Sequence, residues 1–519
     1  MLDRFPRSQA AKTLIAILGL SVSIAACGQT LSPSAPLLAT NTPSPPTTAP
    51  PTLAPSQTTT PTLTSTPAPT QMPSRTPHDV PPEIVVRWPS QAAVGERIFL
   101  DALETFDHDG DRIQYTWSQI HNPDQYDGLE YVTGNSVELE NPEGVVAIFV
   151  PQWPGLYRFE LTAKDDDGAS KQIIDVLAHW SDETPFDIRS ISFGQHIAED
   201  LNYLPEIFAR IAQSGANYVD IQTILHMDDP RSVEFAACSS VFSSDSPCHN
   251  YSDQDLQRVI TLAREQGLKV LLSVVVVIPG SRAGSRALNP VGWDEWFRNY
   301  TDDVVRYAEI AEANDVALVA IGNELSSSHW RGDNWNQLID EVEKVYSGEL
   351  TYRDNQPVHF PETPIFPAWD RLDYMGINFL WAATGVSPGY PRRMTDPSVD
   401  LMIDSLEQRL DYLLSPLVEN HNKPVLLTAV GPAGWDGANT DPKALKCEAE
   451  VDNQENVDYM EAVSRIAVEG GWVGINATSL QPREVAWAPE GCNTVWDIRG
   501  KPIETLIALW FGASTQGEQ

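Results

Sequence analysis

Basic residues are scarce in this chain. Its 519 residues include 34 lysines and arginines against 71 aspartates and glutamates, which gives a formal net charge of -37 at pH 7. Phosphate binding requires clustered lysine and arginine side chains, so the composition disfavours nucleic acid and anionic membrane surfaces as partners. A neutral or cationic partner fits the charge better.

The apolar run near the N-terminus is too short to span a bilayer comfortably. It extends from Leu14 to Ala26, and Arg4, Arg7 and Lys12 precede it. This order predicts an export signal. The run ends "IAAC", which resembles the lipobox of bacterial lipoproteins, in which the cysteine, here Cys27, is acylated and becomes the mature N-terminus. We predict a lipoprotein signal over 1–27, export, and attachment to the membrane through the lipid only, facing outside the cytoplasm. An ordinary secretory signal is the alternative.

Metal-binding cysteine patterns are absent from the sequence. No Cys-x-x-Cys or Cys/His cluster indicates a zinc site. Removal of the signal leaves four cysteines, which allow three pairings. The preferred pairing joins Cys238 to Cys248 within one loop and Cys447 to Cys492 between two late loops.

The composition changes twice before the main part of the chain. Residues 28–82 are mostly Pro, Thr, Ser and Ala and predict an extended, disordered spacer. Residues 83–180 then carry short alternating segments separated by turn residues, which predict a β-sandwich. The segments "LDALETFDHDGDRIQYTW" and "LYRFELTAKDDDG" resemble PKD-like and related immunoglobulin-like modules. Trp117 is then expected in the core.

An acidic turn in this segment offers hard oxygen ligands. Asp107, Asp109 and Asp111 alternate around a glycine, and a second acidic run, 165–167, is expected nearby. Calcium accepts such ligands. A tight acidic turn without metal is the simpler interpretation. No other cofactor is predicted.

Buried-looking strands alternate with amphipathic helices from residue 186 to residue 512, followed by a short tail, 513–519. Eight such units over roughly 330 residues predict a (β/α)8 barrel. Helices are expected at "SDQDLQRVITLAREQG", "WDEWFRNYTDDVVRYAEIAEAND" and the closing "KPIETLIALWFG". The predicted strands are 188–194, 217–225, 269–277, 317–325, 349–354 (weak), 372–380, 423–431 and 472–480.

The fourth predicted strand ends in "GNEL", which places Glu324 at the barrel mouth, where functional residues of this fold lie. The segments "VALVAIGNEL", "YSGELTYRDN", "LDYMGINFLW" and "KPVLLTAVG" resemble the bacterial β-mannanase-type glycoside hydrolases, a TIM-barrel family in the large clan of retaining glycosidases. The resemblance implies that Glu324 occupies the acid/base position and that Asn323 contacts a sugar hydroxyl. Asn378 and Trp381 are expected at the same mouth.

The residue that the family uses as nucleophile is missing. The resemblance implies a second glutamate at the end of strand seven, but the sequence reads "TAVG", with Ala429 at that position. A methyl group cannot attack an anomeric carbon, so ordinary retaining hydrolysis is not expected. We expect a surface glycoside-hydrolase-like protein that acts on or binds β-mannan or β-glucan type polysaccharide.

Two alternatives stay open. The first is an inverting hydrolase in which a loop carboxylate, Asp436 or Glu484, serves as base. The second is a non-catalytic carbohydrate-binding or scaffold protein whose mouth tryptophans stack on sugar rings. The candidate tryptophans are Trp330, Trp335, Trp369, Trp381 and Trp435.

Overall fold

The chain divides into two compact units, Met1–His78 and Asp79–Gln519, and every residue whose structure is described belongs to the second. The signal with Cys27, nearly all of the spacer, the other four cysteines and Glu484 lie outside the described residues. No helix in the described part is long and apolar enough to cross a membrane. The computed structural model describes residues 80–120, 136–181, 184–193, 201–236, 251–278, 287–355, 364–384, 397–442, 450–480 and 497–513.

Two small sheets share one hydrophobic core before residue 180. One sheet has the order β1-β6-β5-β3 and the other pairs β2 with β4. Every second residue of β5 is buried, as alternation along a strand requires. Trp117 is 2% exposed within this core, which confirms its predicted position. The assignment of the segment to PKD-like modules remains a prediction. The strands are β1 Gln91–Ala93, β2 Ile98–Asp101, β3 Gln114–Gln119, β4 Val146–Phe149, β5 Gly155–Lys164 and β6 Ala169–His179.

Eight parallel strands close into a barrel in the order β10-β11-β12-β13-β14-β7-β8-β9. This confirms the predicted TIM-barrel fold. Each predicted strand is present with its ends within two residues of the prediction. Continuous apolar runs, as in β9 and β10, marked strands that are buried on both faces, whereas the fifth strand, β11, has no such run. The strands are β7 Ile188–Phe193, β8 Tyr218–His226, β9 Lys269–Val277, β10 Leu318–Asn323, β11 Glu349–Asp354, β12 Tyr374–Phe379, β13 Val425–Val430 and β14 Gly474–Leu480.

Helices pack around the barrel, and several of them begin at side-chain caps. The Ser252 hydroxyl accepts a hydrogen bond from the amide of Asp255 at 3.1 Å, and the Asp452 carboxylate accepts from the amides of Gln454 and Glu455. Such caps satisfy amides that have no partner inside the helix. The helices are α1 Leu204–Gln213, α2 Asp253–Glu265, α3 Trp293–Ala313, α4 Gly332–Val342, α5 Val399–Leu413, α6 Ser415–His421, α7 Asn453–Glu469 and α8 Pro502–Trp510.

An aromatic contact joins the small sheets to the barrel. The Trp153 ring stacks on Trp510 of α8 with 5.7 Å between ring centroids, and the Arg465 guanidinium of α7 lies 5.8 Å from the Trp153 ring. Trp180 meets the same Trp510 ring edge-on. The two parts therefore share a packed aromatic interface.

Candidate active site

Glu324 follows the last residue of β10 at the carboxyl end of the barrel. The pairing of β10 with β11 shifts between Ala320 and Asn323, and such irregularities redirect side chains at strand ends. Glu324 has a φ of +55°, in the left-handed region that costs energy for a residue with a Cβ. Its amide donates to the carbonyl of Arg353 at 2.9 Å, which holds the strained backbone in place. Strain of this kind is typical of functional positions.

Two amide side chains hold the Glu324 carboxylate. Asn355 donates its Nδ2 to Oε2, and Asn378 donates its Nδ2 to Oε1 at 2.9 Å. Asn378 also donates to Asn323 Oδ1 at 3.0 Å and accepts a hydrogen bond from the Thr428 hydroxyl at 2.9 Å. The structure therefore brings together the predicted residues Asn323, Glu324 and Asn378 and fixes the carboxylate as a hydrogen-bond acceptor at the mouth.

Ala429 lies on the strand beside Asn378. The register of β12 against β13 pairs these two residues directly, and Ala429 is 5% exposed. The residue next to the amide that holds Glu324 therefore carries only a methyl group. It supplies no atom that could attack or deprotonate.

A buried ion pair lies in the barrel interior near these residues. Arg353 donates to Asp220 Oδ2 at 2.8 Å and to the carbonyl of Thr428 at 2.7 Å. Asp220 also accepts from the Ser273 hydroxyl at 2.7 Å and from Asn476 Nδ2 at 3.0 Å. These bonds neutralise the buried charges and fix the end of β13 just before Ala429.

Asp354 is a carboxylate close to Glu324 in the fold, but it is fully buried. Arg353 in β11 and Asn355 just after it face the barrel interior, so the alternation of side chains places Asp354 on the opposite face. It is therefore poorly placed to activate a water at the mouth.

Asp436 lies in an acidic group at the start of α7. One oxygen each from Asp436, Asp452 and Glu455 lies within 4.8 Å of the others. Glu455 accepts hydrogen bonds from the amides of Gly437 and Asn439 at 2.6 and 2.7 Å, and its burial raises its pKa to about 7. Through these contacts, Glu455 holds the loop around Gly437 and Asn439 against the start of α7. The role of base for Asp436 remains a prediction.

The mouth tryptophans differ in exposure. Trp381 is 6% exposed and donates its Nε1 to the carbonyl of Asn355 at 3.1 Å, so it supports the residue that holds Glu324. Trp335, Trp369 and Trp435 are at most 1% exposed, and the predicted sugar contact by Trp435 would require its loop to open. Trp330 is 70% exposed.

The sequence motifs did not identify Asn355, Arg353 or Asp220. Asn355 follows the fifth strand, which lacks the apolar run that marks the others. The polar letters "RDN" at its end were the available signal.

The sequence profile of Glycoside Hydrolase Family 113 matches residues 206–477, more than half of the chain. The chain belongs to glycoside hydrolase family 113. No curated protein matches it significantly.

Several solved structures are similar to this family 113 chain. A complex of a GH113 β-1,4-mannanase has 23% identity and a TM-score of 0.48, with 62% of this chain and 98% of that one covered. The GH113 β-mannanase of Alicyclobacillus acidocaldarius in complex with ManMIm has 21% identity and a TM-score of 0.49, with 63% and 97% covered. A family 39 glycoside hydrolase from Bacteroides cellulosilyticus WH2 has 12% identity and a TM-score of 0.39, with 84% and 83% covered.

Proposed function

We propose that this family 113 protein binds a neutral β-linked polysaccharide at the barrel mouth and does not hydrolyse it by the retaining route. Retaining hydrolysis needs two carboxyl groups about 5 Å apart, one as acid and base and the other as nucleophile. Glu324 supplies the first. The methyl group of Ala429 supplies no second.

The pairing of Ala429 with Asn378 carries this proposal. Asn378 bonds Glu324 at 2.9 Å, so Ala429 stands on the strand next to the group that positions the expected acid. Asn323 and Glu324 are partly exposed and can exchange hydrogen bonds with sugar hydroxyls, while the buried Asn355 and Asn378 hold Glu324 in place. A site of this kind recognises a glycan without supplying a nucleophile.

A neutral glycan of the mannan or glucan class fits the chain better than a charged one. The formal net charge of -37 opposes acidic polysaccharides, and the resemblance of the sequence motifs to β-mannanases supports this class. The predicted export signal and Cys27 support a lipid-anchored protein outside the cytoplasm. The barrel would then hold extracellular polysaccharide near the membrane.

Measurements of binding and of turnover separate the proposed function from hydrolysis. Affinity electrophoresis in gels containing glucomannan or a soluble β-glucan is expected to retard the wild-type protein. Incubation with manno- and gluco-oligosaccharides is expected to release no product from the wild type. Ala429→Glu restores the missing carboxylate and is expected to create detectable hydrolysis.

Glu324→Gln serves as the matched control. Wild-type turnover that disappears in Glu324→Gln would disprove the binding-only function and support an inverting route with another base. Absence of retardation by every neutral glycan would disprove the binding function itself.

A further inference from the structure

Two acidic loops leave the same edge of the small sheets. Strand β3 begins at Gln114 and pairs there with Lys164, the last residue of β5. The strands are antiparallel, so the loop before β3 and the loop after β5 must lie side by side. The first carries Asp107, Asp109 and Asp111, and the second is 165–168.

Each loop folds around one oxygen of one aspartate. Asp107 Oδ1 accepts hydrogen bonds from the amides of Asp109, Gly110 and Asp111 at 2.9, 2.7 and 2.8 Å. Asp165 Oδ1 accepts from the amides of Asp167 and Gly168, both at 2.8 Å. These bonds explain the shape of both turns without a ligand.

The second oxygens of the same two aspartates are not explained by the turns. Asp107 Oδ2 and Asp165 Oδ2 are both buried and have no hydrogen-bond partner within the described ranges. Asp165 is only 6% exposed, and its side chain interacts with that of Asp107. A buried oxygen without a partner is costly, and two adjoining carboxylates repel each other. The pair therefore presents two adjoining oxygens that a cation would satisfy.

The surroundings add charge of the same sign. Asp109 and Asp111 follow Asp107 in the first loop, and Asp166 follows Asp165 in the second. His108 of the first loop contacts Glu83 at 3.2 Å and not these aspartates. Only oxygen donors meet here, which selects a hard cation over zinc.

We propose that these two loops bind one calcium ion, with Asp107 Oδ2 and Asp165 Oδ2 as the central ligands. Calcium takes six to eight oxygens in flexible geometry. Asp111, Asp109 and Asp166, together with backbone carbonyls and water, complete the shell. Magnesium demands a stricter octahedron and is bound less well. The ion ties the start of β3 to the end of β5.

Thermal unfolding and titration calorimetry of the full chain test this site. One calcium ion is expected to bind per chain. At a calcium concentration of about a hundred times the Kd, the Tm is expected to exceed that in EDTA by at least about 5 °C. Magnesium, or sodium chloride at equal ionic strength, is expected to give a clearly smaller shift.

The variant Asp165→Asn is expected to stabilise the protein in EDTA, although it removes a proposed calcium ligand. Its side-chain oxygen still accepts from Asp167 and Gly168, while the new amide group can donate to Asp107. We expect this variant to lose the calcium response and to unfold at a higher temperature than the wild type in EDTA. A purely structural turn predicts no calcium response in either protein.

Two further variants complete the test. Asp436→Asn alters the other acidic group and is expected to keep the full response. Asp111→Asn, on an exposed residue, is expected to weaken calcium binding about tenfold without loss of fold. No calcium heat in the wild type, an equal shift with sodium chloride, or a full response in both Asp165→Asn and Asp111→Asn would overturn the proposal.

Discussion

Asn378 lies directly beside Ala429 in the pairing of β12 with β13, and the same Asn378 donates a hydrogen bond to Glu324 at 2.9 Å. The amide that holds the carboxylate of the proposed acid thus lies next to a position that carries only a methyl group. This combination favours recognition over retaining hydrolysis. It also makes Asn378 the most informative residue to change first.

Asn378→Asp is expected to weaken glycan binding more than Asn378→Ala does. The alanine variant loses the donor to Glu324, a loss of about tenfold in affinity. The aspartate variant also places a like charge against the Glu324 carboxylate. Titration calorimetry with a soluble glucomannan measures both. Asn314→Ala removes an amide bonded to the carbonyl of Ile310 at the end of α3 and should bind as wild type. Equal affinity of all four proteins would show that Asn378 does not support the site.

The left-handed backbone of Glu324 predicts that a glycine variant at this position is more stable than an alanine variant, the reverse of the order inside a helix. At a φ of +55°, Glu324→Gly should be more stable than Glu324→Ala by about 1 kcal/mol, because glycine has no Cβ to strain. The same exchange at Glu309, inside helix α3, should favour alanine by about 1 kcal/mol. Urea unfolding of the four variants measures the difference. Alanine favoured at both positions would contradict the strain at Glu324.

The exposed ring of Trp330 predicts a contact with the longer glycan chain. Its neighbours are fixed: His329 is bonded to Tyr352 and the carbonyl of Pro364, and the Arg331 guanidinium lies 5.6 Å from the Trp293 ring. Trp330 itself is 70% exposed. An anchored backbone that presents a free indole suits stacking on a sugar, because little entropy is lost on binding.

Trp330→Ala is therefore expected to lower polysaccharide affinity about tenfold and to affect a disaccharide much less. Trp330→Phe should retain part of the affinity. Tyr412→Ala is the control, since Tyr412 is 77% exposed near the end of α5, at the opposite end of the barrel from the mouth. Affinity electrophoresis compares them. If Trp330→Ala is retarded as strongly as the wild type, the contact with Trp330 is excluded, while the proposal for the main site is unaffected.

The sequence predicted the strands better than the polar interior that they enclose. Apolar runs located β9 and β10 because burial on both faces needs no other information. Arg353 could not be understood in the same way, since its partner Asp220 is 133 residues away and only barrel closure brings them together. Asn355 was missed because it follows a predicted barrel strand that has no apolar run, whereas the spacing of "DHDGD" already indicated the acidic turn around Asp107.

The buried pair of Arg353 and Asp220 predicts a large loss of stability when one partner is removed. Their side chains are 4% and 0% exposed. Arg353→Met is expected to cost about 3–5 kcal/mol because it leaves a buried aspartate unpaired. Asp220→Asn in the same chain should recover part of this loss. Arg371→Met at the more exposed pair with Asp340 should cost under about 1 kcal/mol. Urea unfolding tests the ranking, and equal losses at the two pairs would contradict it.

The carboxyl group of Asp458 in helix α7 predicts that the free energy of unfolding falls as the pH rises toward 7. Burial raises the pKa of Asp458 to about 7, so the folded chain keeps a proton that the unfolded chain releases near about 4. The free energy of unfolding therefore declines through this window and levels off above it. Asp458→Asn can still accept from Gln454 and should exceed the wild type in Tm at pH 8 but match it near pH 4. Glu265→Gln, at an exposed position of α2, should follow the wild type throughout. Parallel pH profiles for wild type and Asp458→Asn would show that Asp458 titrates alike in both states.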